Sequence, residues 1–186
     1  MHLRTYNEQT DFTYIAKWIR DERSHALWCA NLLSYPLTKD GLRNYLIEQN
    51  VRLYIEASHE MLQDEMKYDA AYVYTDEHDR PLGFFVYTVN EQERAGFLRL
   101  IMVDDTLRGK GYGTDMLREL QRFAYEKTGV SSVRLIVFDV NTAARKCYEK
   151  AGFTVMENMP DAFPYRDEMW GRCMMFSVPC SIMPEE

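Results

Sequence analysis

Val103-Asp104-Asp105-Thr106-Leu107-Arg108-Gly109-Lys110-Gly111-Tyr112-Gly113-Thr114 is the stretch on which the reading of the fold turns. An apolar run over residues 95–103 ends at its start. An amphipathic run follows it, with Tyr112, Met116, Leu117, Leu120, Phe123 and Ala124 near helical spacing. The order is strand, tight turn, helix, and glycines open the helix. Exposed backbone N–H groups at a helix start form an anion site, and small residues let a phosphate approach closely. Arg108 and Lys110 add positive charge. A bare G-x-G-x-G run also describes a flexible turn whose glycines ease packing. Two nucleotide-binding patterns do not fit it. The dinucleotide fingerprint needs longer glycine spacing and an acidic residue after the next strand, and the ATP loop needs Gly-Lys-Ser/Thr where Lys110 is followed by Gly111.

Downstream, Gly129 stops the helix, residues 133–138 read as a buried strand, 142–150 as a short helix and 153–157 as another strand. A helix in the crossover makes the strands at 95–103 and 133–138 parallel. A loop over 159–169 and a last strand at 172–178 complete this part. Upstream, residues 70–74 and 81–89 are apolar and aromatic, with polar turns at 76–80 and 90–94, and form an antiparallel meander with 95–103. Residues 2–6 suit a short first strand. Thr10 or Asp11 is the expected cap of a helix carrying Phe12, Ile15, Ala16 and Ile19. Residues 20–50 are helical and loopy, rich in aromatics and broken at Pro36. Thr38-Lys39-Asp40 then starts a helix carrying Leu42, Tyr45 and Leu46. Residues 57–69 read equally as a loop or a short helix. No repeat, low-complexity segment or linker appears, so residues 1–186 are expected to form one domain.

The 186 residues are 46% hydrophobic and 27% charged, which argues against disorder, collagen-like repeats and a coiled coil. The formal charge is −7 with acids spread along the chain and no basic run, so nucleic acid is not an expected partner. Cys29, Cys147, Cys173 and Cys180 are scattered, with no C-x-x-C pair and no clustered histidines, which disfavours a disulfide scaffold or a zinc site. No metal is expected. The polar N-terminal start lacks a signal-peptide core, and no stretch reaches the length of a membrane span. The expectation is a cytoplasmic protein with no membrane partner.

Arg-x-x-Gly-x-Gly, here Arg108, Gly111 and Gly113, resembles the pyrophosphate-binding signature of the GNAT acetyltransferase superfamily. Asn141-Thr142-Ala143-Ala144-Arg145-Lys146-Cys147-Tyr148-Glu149-Lys150-Ala151-Gly152-Phe153 resembles that superfamily's second signature, Asn-x-x-Ala-x-x-x-Tyr-x-x-x-Gly-Phe. The likeness is sharp from Arg99 to Phe153 and loose before it. It implies an α/β (α+β) fold with a single mixed central sheet of about six to seven strands, helices on both faces and two splayed parallel central strands. It implies an N-acetyltransferase that moves an acetyl group from acetyl-CoA to a primary amine by direct attack through a tetrahedral intermediate. Pantetheine would pair with the backbone of Ile101, Met102 and Val103, with the Met102 amide as oxyanion donor. The pyrophosphate would sit on the N–H groups of Arg108, Gly109, Lys110, Gly111, Tyr112, Gly113 and Thr114. Asn141 and Ala144 match positions that touch the cofactor. Tyr148 matches the tyrosine that protonates the departing thiolate, as a general acid should.

The general base departs from better-known relatives. Phe97–Val103 carries no acid, and Ile136 stands where enzymes acting on ribosomal-protein N-termini place a glutamate. Asp104 and Asp105 are expected to shape the turn and Asp139 to cap the following helix, so no base is assigned. Trp28, Tyr35, Tyr45, Phe163, Tyr165 and Trp170, with Asp161, Asp167 and Glu168, fall in segments that build the acceptor pocket in this fold. Such a lining would suit a polyamine, an aminoglycoside-like drug or a peptide terminus, although packing accounts for most of the aromatics. A non-catalytic acyl-CoA-binding sensor with the same fold is the alternative, and edge-strand pairing, common in the family, would make a homodimer.

Overall fold

The computed structural model describes residues 1–49 and 68–179. Of the stretch left open above, residues 57–67 lie outside it. The strands are β1 (His2–Thr5), β2 (Ala70–Thr75), β3 (Pro81–Asn90), β4 (Ala95–Val103), β5 (Ser132–Phe138), β6 (Thr154–Tyr165) and β7 (Glu168–Ser177). They hydrogen-bond as one mixed sheet in the order β1-β2-β3-β4-β5-β7-β6. The helices are α1 (Glu8–Trp18), α2 (Glu22–Cys29), α3 (Lys39–Glu48), α4 (Tyr112–Phe123) and α5 (Thr142–Lys150). No helix among the described residues is long and apolar enough to cross a membrane. The chain divides into two compact units, Met1–Thr88 with Leu100–Tyr112, and Val89–Arg99 with Gly113–Glu186.

In the first unit β1 pairs antiparallel with β2, and β2 antiparallel with β3. Every residue of β2 is buried, so its sequence reads as continuous apolar and aromatic character rather than an alternation. Its core joins Ile15 and Trp18 of α1, Leu42 and Leu46 of α3, Val73, Phe84 and Val86 of the meander, and Leu100 and Met102 of β4. α1 begins before the expected Thr10 or Asp11. Asn7 is its cap and accepts the Gln9 N–H at 2.9 Å. Asp11 is committed elsewhere: it is fully buried inside the helix, and its carboxylate accepts from the Arg4 guanidinium at 2.7 and 2.9 Å and from the Asn7 N–H at 2.7 Å. A buried carboxylate is tolerated because those three donors replace its water. α3 starts where the sequence places it, with Thr38 accepting the Gly41 N–H at 3.1 Å.

In the second unit the first half of β4 runs parallel to β5, from Ala95 opposite Ser132 to Leu98 opposite Leu135. β5 then pairs antiparallel with β7, from Val133 opposite Ser177 to Phe138 opposite Arg172. α4 covers the helix expected from the glycine run, continues in one wider turn over Ala124–Thr128, and stops at Gly129 with φ 67°. The loop expected over 159–169 is not a loop. β6 runs on to Tyr165 and returns as β7 from Glu168. Pro160 and Pro164 are tolerated because β6 is the sheet's edge. Asp161, at φ 49°, takes up the irregularity where the register shifts between Met159 and Phe163. Aromatic stacking holds the extension: Tyr165 lies on Trp170 at 4.4 Å, and Phe138 meets Phe163 at 4.9 Å and Trp170 at 5.2 Å.

Candidate functional site

The last four residues of β4 alternate in burial: Leu100 and Met102 enter the core of the first unit, and Ile101 and Val103 stay half-exposed. Leu100 carries φ 51°, a left-handed conformation inside a strand. A non-glycine residue held there costs of order 1–3 kcal/mol and interrupts the regular ladder, a device that re-aims backbone groups next to ligands. The division between the two units falls at this residue.

The turn that follows is built by its own aspartate. Asp104 Oδ1 accepts from the Thr106 N–H at 2.9 Å and its hydroxyl at 2.7 Å. The Leu107 N–H donates to the Asp104 carbonyl at 2.9 Å. Asp104 therefore shapes the turn, as the sequence suggests. Gly109 and Gly111 have φ 78° and 95°, and a Cβ at Gly109 would meet nothing within 4 Å. The requirement there is backbone conformation rather than space. Arg108, Gly109, Lys110 and Gly111 are exposed, and Tyr112, Gly113 and Thr114 are half-buried in the first turn of α4. The first N–H groups of a helix have no partner within it. Paired with two exposed cations, they have the donor chemistry that a pyrophosphate requires.

In the second unit the other signature divides its labour. Asn141 caps α5, its Oδ1 accepting the Ala144 N–H at 3.3 Å. Asp139 does not cap the helix as expected; it accepts the neighbouring Val140 N–H at 2.8 Å, and Gly171 packs so closely that a Cβ would come 2.7 Å from its Oδ2. At the other end Gly152 takes φ 91°. Its N–H donates to the Glu149 carbonyl and that of Phe153 to the Tyr148 carbonyl, both at 3.0 Å. These paired bonds are a helix stop that satisfies the last carbonyls, and glycine is the residue that suits the left-handed position. Phe153 packs its ring 6.2 Å from that of Tyr148.

Tyr148 is buried, and burial pushes its phenol well above the ordinary value of 10.0. It therefore carries its proton throughout the neutral range. α5 is joined to α4 by Cys147 Sγ, 3.6 Å from the Thr114 hydroxyl, and by Arg118, which donates to the Lys150 carbonyl at 3.2 Å. The structure thus brings Thr114 beside the residue preceding Tyr148. The sequence reading misses this contact, and nothing in residue type or spacing signals it.

The acceptor residues are mostly committed to packing. Phe163, Tyr165, Trp170 and Tyr45 are buried, and Trp28 packs against the core of the first unit. The Trp170 indole N–H donates to Glu168 at 2.7 Å. Tyr35, Asp161 and Asp167 remain exposed. β4 offers no acid, and Ile136 is exposed on β5.

Solved structures share this arrangement of elements. The Vibrio cholerae spermidine N-acetyltransferase in complex with CoA and spermine superposes with a TM-score of 0.72 over 95% of this chain and 94% of that one, at 16% identity. A chimera of Vibrio cholerae spermidine N-acetyltransferase SpeG and hSSAT gives 0.70 over 96% of each chain, at 15% identity. Likeness at that identity speaks for the fold. Residues 39–153 match the acetyltransferase (GNAT) family, well over half of the 186 residues and spanning both signatures. The chain belongs to the acetyltransferase (GNAT) family and is an acetyl-CoA-dependent N-acetyltransferase.

Proposed function

We propose that this enzyme transfers acetyl from acetyl-CoA to a primary amine of a small molecule or peptide, with Tyr148 as the acid for the departing thiolate. The observation that carries the reading is a buried, proton-bearing phenol on α5, one residue from a cysteine that touches the first turn of α4. Acetyl-CoA supplies an activated thioester. Arg108, Lys110 and the N–H groups from Arg108 to Thr114 hold its pyrophosphate, and Ile101, Met102 and Val103 offer backbone to the pantetheine. The Met102 amide is the donor for the oxyanion. Asn141 and Ala144, at the start of α5, flank the cofactor; the cap uses Asn141 Oδ1 and leaves its amide N–H groups.

Protons balance without a metal or a redox partner. The attacking nitrogen gives up one proton and the leaving sulfur takes one, so Tyr148 acts as the local donor and is restored from the pool that receives the amine's proton. No carboxylate of β4 can take that proton. We assign its removal to water, which suits an amine that reaches the enzyme partly neutral.

The spermine bound to one structural neighbour makes polyamines the first acceptors to try, ahead of aminoglycoside-like amines and peptide N-termini. The test has two stages. Thermal shift with acetyl-CoA, CoA and ATP should show stabilisation by both CoA species and not ATP, about 2.7 kcal/mol at a hundredfold excess over Kd. Thiol release across the amine panel should then identify the acceptor. Stabilisation without thiol release for any amine favours the acyl-CoA sensor, for which the acid-free β4 is the supporting observation.

A further inference from the structure

The turn between β4 and α4 is anchored at two points. One is backbone: the Asp104 N–H donates to the Leu82 carbonyl of β3 at 2.9 Å. The other is a side chain from a different part of the first unit. Asp105 Oδ2 is paired with Arg20 Nε, and the Asp105 side chain is only 9% exposed while that of Arg20 is 67% exposed.

Arg20 is well placed to act as a fixed post. Trp18, the last residue of α1, is buried at 4% exposure. Ile19 caps the helix in an extended conformation, φ −95° and ψ 103°, and packs against the same core. The backbone delivering Arg20 is therefore held. Between α1 and the turn lies a groove of about 390 Å³, with Tyr14, Lys17 and Trp18 on one side and Asp104, Asp105 and Thr106 on the other. The Arg20–Asp105 ion pair spans the two sides of this groove and so links them.

We infer that Arg20 and Asp105 are positioning residues for the cofactor loop: the pair fixes the turn from which Arg108 to Tyr112 emerge, and so sets the aim of the amides that hold the pyrophosphate. The inference rests on the proposal that this loop binds acetyl-CoA. Asp104 cannot do this alone, because its carboxylate is spent inside the turn, on Thr106. Beyond the Leu107 N–H on the Asp104 carbonyl at 2.9 Å, the next internal bond, the Lys110 N–H on the Leu107 carbonyl, is long at 3.4 Å. Without the Arg20 link the short helical turn Asp105–Leu107 keeps its internal bonds and the Asp104 N–H anchor on Leu82, and loses the second point that fixes its orientation. A carboxylate left unpaired at 9% exposure would draw water or Lys17 towards it, which moves the turn further.

The experiment uses Arg20→Ala, Asp105→Asn, the double Lys17→Ala/Arg20→Ala and the charge swap Arg20→Asp/Asp105→Arg, in the full chain. Arg20 is exposed enough for Arg20→Ala to keep the fold, which ligand-free thermal midpoints will verify. The expected result is a roughly tenfold rise in KM for acetyl-CoA in each single variant. kcat and KM for the amine should stay within about twofold, the mark of lost ground-state binding rather than lost chemistry. The double variant should match Arg20→Ala or exceed it, and the swap should recover most of the loss. An unchanged KM for acetyl-CoA, a fall in kcat alone, or a swap no better than the singles would overturn the inference. Thermal shift with CoA separates the two levels: no shift in the wild type removes the cofactor reading and this inference with it, whereas a wild-type shift that Arg20→Ala retains in full removes only this inference.

Discussion

Replacing Tyr148 by Phe isolates the proposed chemistry from the fold. The ring stays, and with it the contact to Phe153 at 6.2 Å and the helix stop, which uses only the Tyr148 backbone carbonyl. What goes is one hydroxyl from a site that is 7% exposed. General acid catalysis by a positioned group contributes about 10²–10⁴ in rate, so kcat should fall by that factor, an increase of about 2.7–5.4 kcal/mol in the barrier. CoA affinity should not change. The pH dependence sharpens the test. Burial raises the phenol above its ordinary value of 10.0, so the protonated form persists as pH climbs to that value. The burial that keeps the proton on the phenol also makes a thiolate formed beside it more basic, which preserves the driving force for transfer. The ratio of wild-type to Tyr148→Phe kcat, followed by thiol release at saturating substrates, should therefore stay constant up to about pH 10. An ordinary tyrosine would let the ratio shrink as that pH is approached. An unchanged kcat in Tyr148→Phe, or a ratio that collapses below pH 10, would refute the assignment.

Gly152→Ala should lower stability by about 1–2 kcal/mol through backbone strain alone, since φ is 91° and no atom lies within 4 Å of the added Cβ. That corresponds to a midpoint lower by about 2–8 °C, and Gly152→Asn should recover part of it because asparagine accepts the left-handed region; equal losses for Ala and Asn would rule out the strain account. Glu8 is held below its ordinary value of 4.5, chiefly by the Arg43 guanidinium. A carboxyl with a depressed folded value stabilises the protein above the ordinary carboxylate range and loses that contribution as pH falls through the folded value. Wild type and Glu8→Gln should therefore differ in thermal midpoint at neutral pH and converge in acid, and parallel pH curves would contradict the pairing.

What the sequence disclosed follows from which signals are local. The bounds of β4, α5 and the start of α3 are legible because apolar period, a glycine stop and a threonine cap all lie within a few residues of the elements they define. The glycine turn is legible for the same reason. The start of α1 is not: Asn7, Thr10 and Asp11 are all able to cap, and only the contacts of Asp11 with Arg4 and with the Thr10 hydroxyl settle which one does. The β6–β7 hairpin is hidden because its prolines argue against a strand until β6 is known to be an edge, and its aromatics find their partner in Phe138 of β5. Those same aromatics suggested a pocket wall by segment, but most of them are buried against one another or against the core. The left-handed Leu100 and the Arg20–Asp105 pair have no signal at all, since leucine gives no hint of positive φ and an ion pair between distant residues leaves no period.

The second signature supports function more narrowly than its length suggests. Asn141 as a cap and Gly152-Phe153 as a stop are accounted for by the needs of a nine-residue helix. A short helix with both ends satisfied would draw on such residues in any protein. Tyr148 is different. Its backbone serves the stop and its ring packs on Phe153, and phenylalanine would do both, so neither role calls for the hydroxyl. The glycines of the turn stand on the same footing as Tyr148, because at Gly109 the surroundings would admit a side chain and only the backbone conformation refuses one. The weight of the functional reading therefore rests on two places, a hydroxyl that packing does not need and a turn whose exposed amides the core does not use.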